Sequence, residues 1–163
     1  LTVGKSTSNI SNRKGKSFGY QILGFGSGGG AKKLSFDFMI VAGGGVFYSD
    51  AVATLTGFAE KHSIPVTETI AGRSQMLHDH KLNAGPLGVI GSSSANALAA
   101  EADVVLAVGT RLQDFTTGSW SVFGNESMRL ISINAASFDA HKHRALSLVS
   151  DAKVGLELSL IHI

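Results

Sequence analysis

The sequence predicts an α/β protein, a doubly wound parallel sheet of the Rossmann-like type, with about five to six strands and helices on both faces. Three observations favour this class. Short apolar runs recur along the chain, two of them (39–42 and 104–108) are followed directly by glycine, and stretches with a helical period separate them. Continuous apolar runs are typical of strands buried on both faces of a parallel sheet. Glycine at the end of such a strand lets the chain turn sharply into a crevice.

The first βα unit is predicted from the residues around the triple glycine 43–45. Apolar residues recur three or four positions apart in 51–62, which predicts an amphipathic helix. Asp50 or Ser49 precedes this helix and is expected to cap it. Pro65 ends the link to a second strand, 66–70.

The middle of the chain predicts a second unit. Residues 71–91 are rich in glycine and are expected to form a long, partly helical connection. Ser92-Ser93-Ser94 is typical of a helix start, so it predicts a helix at 95–100 rather than a nucleophile. The next strand is 104–108, and an irregular loop, 112–127, follows it.

The last elements are two further strands and a helix. Residues 130–134 and 146–149 predict strands, and Asp151 is expected to cap a helix at 152–158. Five strands that alternate with helices form a parallel sheet through right-handed crossovers.

Composition excludes several classes of protein. A chain of 163 residues, 44% hydrophobic and 16% charged, is of the size that builds one core. There are no cysteines, so disulfides, thiolate metal sites and cysteine nucleophiles are excluded. The chain has no apolar run of membrane-spanning length and no apolar leader. We therefore expect no membrane association and a cytoplasmic location.

The two ends differ from the middle of the chain. Residues 1–38 carry six basic residues and one acidic residue, whereas residues 39–163 carry eight basic and eleven acidic residues. The 1–38 segment is also rich in Gly and Ser, and we expect a disordered or artefactual leader there, with a genuine variable leader as the alternative. The tail, 158–163, is expected to be foreign. The folded domain is predicted to span 39–157.

Three short motifs lie in the leader, and each lacks the context that its chemistry needs. Gly4-Lys5-Ser6 is typical of the end of a phosphate-binding loop, but no apolar strand precedes it. Residues 24–29 satisfy the dinucleotide fingerprint, but a strand-like run follows them instead of a helix. Residues 16–20 are similar to RNA-stacking strands, whose partner strands the chain does not offer. No nucleic-acid partner is expected.

Several motifs of the chain occur together in one known family. They are Val-Ala-Gly-Gly-Gly (41–45), Ile-Pro-Val-Thr-Glu-Thr (64–69), Ala-Asp-Val-Val-Leu-Ala-Val-Gly-Thr-Arg (102–111), Ile-Ser-Ile-Asn (131–134) and Val-Ser-Asp-Ala-Lys (149–153). This series resembles the central domain of thiamin-diphosphate-dependent enzymes, the group that includes acetolactate synthase and pyruvate oxidase. Residues 80–89, 111–120 and 138–146 are most similar to its trihydroxycyclohexanedione hydrolase branch, from bacterial myo-inositol breakdown. The resemblance covers about residues 39–157.

The resemblance implies that this chain carries no catalytic residue. In that family thiamin diphosphate lies between two other domains: one supplies an activating glutamate, and the other supplies a Gly-Asp-Gly stretch that holds Mg²⁺ and diphosphate. The chain has no Gly-Asp-Gly, and Glu68 matches the central-domain pattern instead. The parent is thus expected to be a thiamin-diphosphate- and Mg²⁺-dependent hydrolase that opens a cyclic dione, and to be a homo-oligomer. This piece alone is expected to be inactive, with the missing N- and C-terminal domains as its partners.

A candidate site remains at the carboxyl ends of the strands, lined by Gly44, Gly45, Gly109, Thr110 and Arg111. Glycines let phosphates approach the main chain, and the forked donors of arginine pair with them. The resemblance implies FAD at this place in acetolactate synthase but not in the hydrolase. Two interpretations stay open, a nucleotide crevice and simple tight turns. The alternative function is a stand-alone nucleotide- or FAD-binding module.

Two other groups of residues invite a function. His78 and His80, like His141 and His143, have a spacing that suits zinc with a third ligand, but such pairs are also common in surface loops, and we expect no metal site. The 112–127 loop carries Phe115, Trp120 and Phe123. These aromatic residues predict an interdomain contact, with ordinary anchoring of the loop as the alternative.

Overall fold

The structure is a computed structural model that describes residues 19–22 and 34–161, with side chains described from 37 to 159. The strands are β1 (Gly19–Ile22), β2 (Leu34–Ala42), β3 (Val66–Glu68), β4 (Asn83–Pro86), β5 (Val104–Val108), β6 (Arg129–Asn134) and β7 (Leu146–Val149). The helices are α1 (Gly44–Tyr48), α2 (Val52–His62), α3 (Ser93–Glu101), α4 (Asp114–Thr117), α5 (Ser137–Ala140) and α6 (Ala152–Ile161), and 3-10 turns lie at Ile70–Gly72 and Lys142–Arg144.

Six of the strands form a parallel sheet in the order β4-β3-β2-β5-β6-β7, and β1 pairs antiparallel with the start of β2. The doubly wound α/β prediction is therefore confirmed. The strand order reverses between β2 and β5, so the two βα turns that follow these strands meet at a topological switch point. No helix in the described ranges is both long and apolar enough to cross a membrane.

The core has two halves because successive residues of a strand face opposite sides of the sheet. Ile40 packs with the α2 and α6 side chains Leu55, Phe58 and Leu156 on one face. The neighbouring residue Val41 belongs to the cluster that covers the other face, where α3 lies. Both β2 residues are fully buried, which explains why this strand is apolar at every position from 38 to 42.

The helix caps were predicted with mixed success. The hydroxyl of Ser92 accepts the Ala95 N–H at 3.2 Å, and Asp151 accepts the Lys153 N–H at 2.9 Å, so both of these caps are confirmed. The predicted cap of α2 by Asp50 or Ser49 is wrong. Helix α1 begins within the glycine run, at Gly44, and Ala51 is the N-cap of α2, without a side-chain hydrogen bond. Ser49 instead hydrogen-bonds to Asp151, which lowers the pKa of that carboxyl.

The 71–91 connection also differs from the prediction. It contains strand β4, which pairs with β3 at the edge of the sheet, and its only described helical element is the 3-10 turn that ends at Gly72. Gly85 and Pro86 mask β4 in the sequence, because both residues are poor strand formers and proline is tolerated only at an edge. A short helix, α4, lies in the predicted irregular loop 112–127.

Two elements cross the predicted limits of the domain, because β2 begins at Leu34 and α6 continues to Ile161. Residues 19–22 of the expected leader form strand β1. The Gly4-Lys5-Ser6 and 24–29 motifs, and residues 16–18 of the third motif, lie outside the described residues. The origin of the leader and of the tail stays a prediction.

His62, the last residue of α2, is a half-buried titratable group. Its ring lies 4.8 Å from the ring of Phe58, and its Nε2 is buried with no hydrogen-bond partner among the described residues. Burial, and secondarily the charge of Lys61, lower the pKa of His62. The folded state therefore favours the neutral imidazole.

This environment predicts a pH dependence of stability. The unfolded chain protonates His62 near its ordinary pKa of 6.5, and the folded chain does so only at lower pH. The unfolded state then binds more protons, so the stability that is present above pH 6.5 is lost as the pH falls toward the folded-state pKa. We expect the free energy of unfolding, measured by urea titration at a series of pH values, to fall less steeply with acid in His62→Gln than in the wild type. An unchanged slope in the variant would contradict this assignment.

Candidate functional site

The turns after β2 and β5 touch each other through their main chains. The Gly45 N–H donates to the Gly109 carbonyl at 2.9 Å, and Gly109 has φ +58°. A Cβ on Gly45 would lie 2.6 Å from Gly109 Cα, and a Cβ on Gly109 would lie 2.7 Å from Gly45 Cα. Both positions therefore require glycine, because any side chain would separate the two turns.

The other three predicted residues surround this contact with different roles. Gly44 faces the turn after β3, since its Cβ would lie 3.2 Å from the Ala71 carbonyl oxygen. Thr110 is buried; its hydroxyl accepts the Leu112 N–H at 3.2 Å, and its carbonyl accepts a hydrogen bond from the Asn134 amide at 3.0 Å. Arg111 is exposed. The structure thus brings the five residues to one edge of the sheet and uses Gly45, Gly109 and Thr110 for internal contacts.

A buried carboxylate organises the third loop at this edge. Glu68 is 5% exposed, and its oxygens accept the backbone N–H groups of Ser74 (3.3 Å), Gln75 (3.0 Å) and Met76 (2.9 Å). Hydrogen bonds to a charged acceptor are stronger than neutral ones, so these bonds hold the 69–77 loop against the end of β3. The polar atoms of Glu68 serve the main chain of its own loop.

Gln75 connects this loop to the glycine turn, a role that the sequence did not reveal. Its Nε2 donates to the Gly43 carbonyl at 2.8 Å, while its own N–H is held by Glu68. Its Oε1 is buried with no partner among the described residues. A glutamine in a polar loop carries no sequence signal for burial, so only the three-dimensional arrangement identifies it.

A cavity of about 430 Å³ lies beside the ends of β3 and β4. Its polar lining includes Glu68, Asn83 and Ser94. The Asn83 amide donates to the Met76 carbonyl at 3.1 Å, and the Ser94 hydroxyl donates to the Ala84 carbonyl at 2.9 Å. Much of the polar lining is therefore already engaged in bonds within the fold.

The histidines have other contacts. His80 Nε2 lies 3.1 Å from a Glu60 carboxylate oxygen, and His141 Nδ1 lies 2.8 Å from the Ser137 carbonyl. His143 stacks on Trp120 with 4.1 Å between ring centroids. Within residues 19–22 and 34–161, no group of three or more His, Cys, Asp or Glu side chains is arranged to hold a metal ion.

The aromatic residues of the 112–127 loop divide into two kinds. Phe123 is 8% exposed and belongs to the core cluster, and Trp120 packs against it at 5.0 Å between ring centroids. Phe115 is 64% exposed. Trp120 and Phe123 thus anchor their own loop, and Phe115 alone of the three stays free for a partner. An interdomain contact by this loop remains a prediction.

The fold and the edge of the sheet define a class of protein. A parallel sheet with reversed strand order, whose glycine turns meet at the switch point, is a Rossmann-like α/β domain. The family that the sequence matches is a narrower group within this class. Residues 35–158 match the model of the thiamine pyrophosphate enzyme central domain, so the chain belongs to that family.

Individual relatives agree with the family. The chain is 48% identical over 119 residues to a 3D-(3,5/4)-trihydroxycyclohexane-1,2-dione hydrolase of Clostridium tetani. The matched residues cover 73% of this chain and 18% of that protein. A second protein of that name, from Bacillus cereus, is 44% identical over 124 residues, which cover 76% of this chain and 19% of the relative. The chain therefore spans under a fifth of the length of these curated relatives.

Solved structures show the same architecture. A protein from Mycobacterium smegmatis, described as thiamin diphosphate-dependent, matches with a TM-score of 0.60 and 28% identity over 74% of this chain and 24% of its own. Benzoylformate decarboxylase from Polynucleobacter necessarius matches with a TM-score of 0.63 and 24% identity over 77% of this chain and 24% of its own. The second likeness concerns the fold alone.

Gly109→Ala tests the contact between the turns. A left-handed φ costs alanine about 1–2 kcal/mol, and separating two main chains adds about 1–3 kcal/mol, so we expect a loss of about 2–5 kcal/mol. Gly118→Ala is the matched control: its φ is +55°, but its Cβ would first meet the Ser121 hydroxyl, which can rotate away. That control should lose about 1–2 kcal/mol in urea unfolding. Equal losses in the two variants would show that the turn contact contributes nothing.

Glu68→Gln tests the carboxylate clamp. The amide keeps one acceptor oxygen and turns an NH₂ group toward backbone donors, so we expect a loss of about 2–3 kcal/mol and faster hydrogen exchange at the amides of Ser74, Gln75 and Met76. Glu60→Gln changes an exposed glutamate in the same way and should cost less than about 1 kcal/mol. Unchanged exchange at the three amides would refute the clamp.

Proposed function

We infer that this chain is the non-catalytic central domain of a thiamin-diphosphate-dependent enzyme that hydrolyses a carbon–carbon bond of a cyclic dione. The observation that carries the proposal is the 48% identity, over 119 residues, to a relative named for that hydrolysis. The folded unit is proposed to be 39–157, and the remaining domains of the parent polypeptide are its partners. A homo-oligomeric, cytoplasmic parent is part of the same proposal.

The described residues do not fit thiamin diphosphate and its metal. Mg²⁺ prefers carboxylate and carbonyl oxygens, yet no cluster of acidic side chains suited to a metal occurs in the described ranges. Activation of the cofactor requires an available carboxylate, and the Glu68 oxygens already accept three N–H groups of the main chain. Both observations support binding of cofactor and Mg²⁺ by other domains, and no catalytic step is assigned to this chain.

The crevice also offers little to a flavin. The main chains of Gly45 and Gly109, which would approach phosphates, are in contact with each other, and Gly45 N–H is used in that contact. Arg111 is the exposed charged group of the five candidate residues. This geometry supports glycines that serve tight turns rather than FAD binding, and it favours the scaffold role over a stand-alone nucleotide module.

A chimeric enzyme tests the proposal. Residues 35–158 of this chain, the range that matches the family model, would replace the matching segment of the Clostridium tetani relative. Hydrolysis of trihydroxycyclohexane-1,2-dione would be assayed with thiamin diphosphate and Mg²⁺. We expect activity within about tenfold of the relative, because 1.4 kcal/mol of imperfect packing corresponds to that factor. The control is the relative with the segment deleted, which should be inactive.

Calorimetry on the 163-residue chain is the complementary measurement. It should detect no binding of thiamin diphosphate, with or without Mg²⁺. Saturable, Mg²⁺-dependent binding would overturn the assignment of the cofactor to other domains, and an inactive chimera that folds would overturn the hydrolase assignment.

A further inference from the structure

Large apolar side chains are exposed along the carboxyl edge of the sheet. They follow four strands in turn: Phe47 and Tyr48 after β2, Ile70 after β3, Val89 and Ile90 after β4, and Phe115 after β5. We call these six residues the apolar rim. Tyr48 is 88% exposed, Phe47 67%, and Val89 and Phe115 are each 64% exposed. Because parallel strands end at one edge, these side chains share one side of the molecule.

The first half of the rim is built around α1. The rings of Phe47 and Tyr48 lie 5.9 Å apart, edge to face. A Cβ placed on Gly44 would lie 3.6 Å from the Tyr48 ring and 3.3 Å from the Ala71 side chain. Tyr48 therefore lies beside the 3-10 turn that carries Ile70.

The second half is built from the loops after β4 and β5. The Val89 N–H donates to the Phe115 carbonyl at 2.9 Å, which joins the two loops. The Gly45–Gly109 contact joins the turn that carries α1 to the turn that leads to Phe115. The rim is therefore carried by loops that are tied to one another by their main chains.

A surface of this kind is unusual on a protein that acts alone, because large exposed apolar patches mark interaction sites. Exposed aromatic residues in particular are enriched where proteins bind proteins. The loops that carry the rim are also tied to the fold by Glu68, Gln75 and the glycine contact, so the surface is held in place before any partner binds.

We propose that the apolar rim is the surface against which another domain of the same full-length enzyme docks. This inference rests on the proposed function. The chain matches 18% of the Clostridium tetani relative, so about four fifths of such a polypeptide lies outside the matched segment and must pack against this domain somewhere. The rim includes residues that follow β2 and β5, the two strands of the switch point, and Trp120 and Phe123 of the 112–127 loop already pack in the core.

The test compares two double variants in the chimeric enzyme. Tyr48→Ser with Phe115→Ser removes the two rim side chains of highest exposure in the two halves. Leu146→Ser with Leu158→Ser removes apolar side chains of 72% and 47% exposure, at the start of β7 and in the second half of α6, away from the rim. Activity would be assayed, and calorimetry would show whether this domain unfolds together with the rest of the enzyme.

We expect the rim variant to lose at least about tenfold in activity, a loss of 1.4 kcal/mol or more, and to unfold in separate transitions. The control variant should stay within about twofold of the parent chimera and keep its transition. In the 163-residue chain, both double variants should melt within about 2 °C of the wild type, since exposed substitutions there cost little.

The outcomes separate the rim from the proposed function. A rim variant that matches the control in activity and in coupled unfolding overturns the docking surface, and so does a rim variant that destabilises the 163-residue chain by itself. Rim variants that lower the association state of the chimera without separating its unfolding transitions identify a second copy as the partner and also overturn it. A parent chimera without activity overturns the hydrolase assignment. In that case, calorimetry of the rim and control variants still tests whether the rim docks another domain.

Discussion

The close contact between two glycine turns is the constraint on which the carboxyl edge of this domain depends. Gly45 and Gly109 follow the two central strands, and a side-chain carbon on either would lie within 2.7 Å of the other's main chain. The contact lets β2 and β5 end side by side at the switch point while the chain leaves in different directions. The positions of α1, Thr110 and the β5–α4 loop follow from it.

A buried charge extends this constraint to a third loop. Within the part of the chain that the structure describes, Glu68 forms no ion pair, and main-chain N–H groups surround its oxygens instead. Gln75 then bonds to the Gly43 carbonyl, so the loop after β3 and the turn after β2 hold each other. The hydrogen bonds of the Glu68 oxygens and of Gln75 Nε2 specify one arrangement of the main chain, whereas apolar contacts alone would allow several.

The sequence predicts the parts of this fold whose causes are local. The apolar runs at 39–42 and 104–108 mark their strands because both faces are buried, and Ser92 and Asp151 mark helix starts because they bond to N–H groups two or three residues away. The sequence does not predict strand β4, because Gly85 and Pro86 have poor strand propensity. Pairing with β3 overrides that propensity in the structure. Glycine leaves a signal, so Gly44, Gly45 and Gly109 mark the turns after the two central strands, and a binding role for them stays a prediction.

The partners of Glu68 were not predictable, because backbone N–H groups carry no sequence signature. Glu68 ends the short strand Val66–Glu68, and the structure supplies the reason for its burial. The same limit applies to the rim. Single exposed apolar residues such as Tyr48 or Val89 are ordinary, and only the topology shows that they follow successive strands to one edge.

Fold alone does not assign a function to this edge, because Rossmann-like domains use it for many ligands. In the present chain, polar groups at this edge form hydrogen bonds within the fold. The Gly45 N–H is bonded to Gly109, the Thr110 hydroxyl to Leu112 and the Glu68 oxygens to their own loop. Exposed apolar side chains such as Tyr48 and Phe115 lie on this edge beside exposed charged residues such as Arg73, Arg111 and Asp114. An edge whose inner glycine and carboxylate groups are bonded within the fold leaves fewer main-chain donors for a phosphate, and this physical difference favours a scaffold domain over a nucleotide carrier.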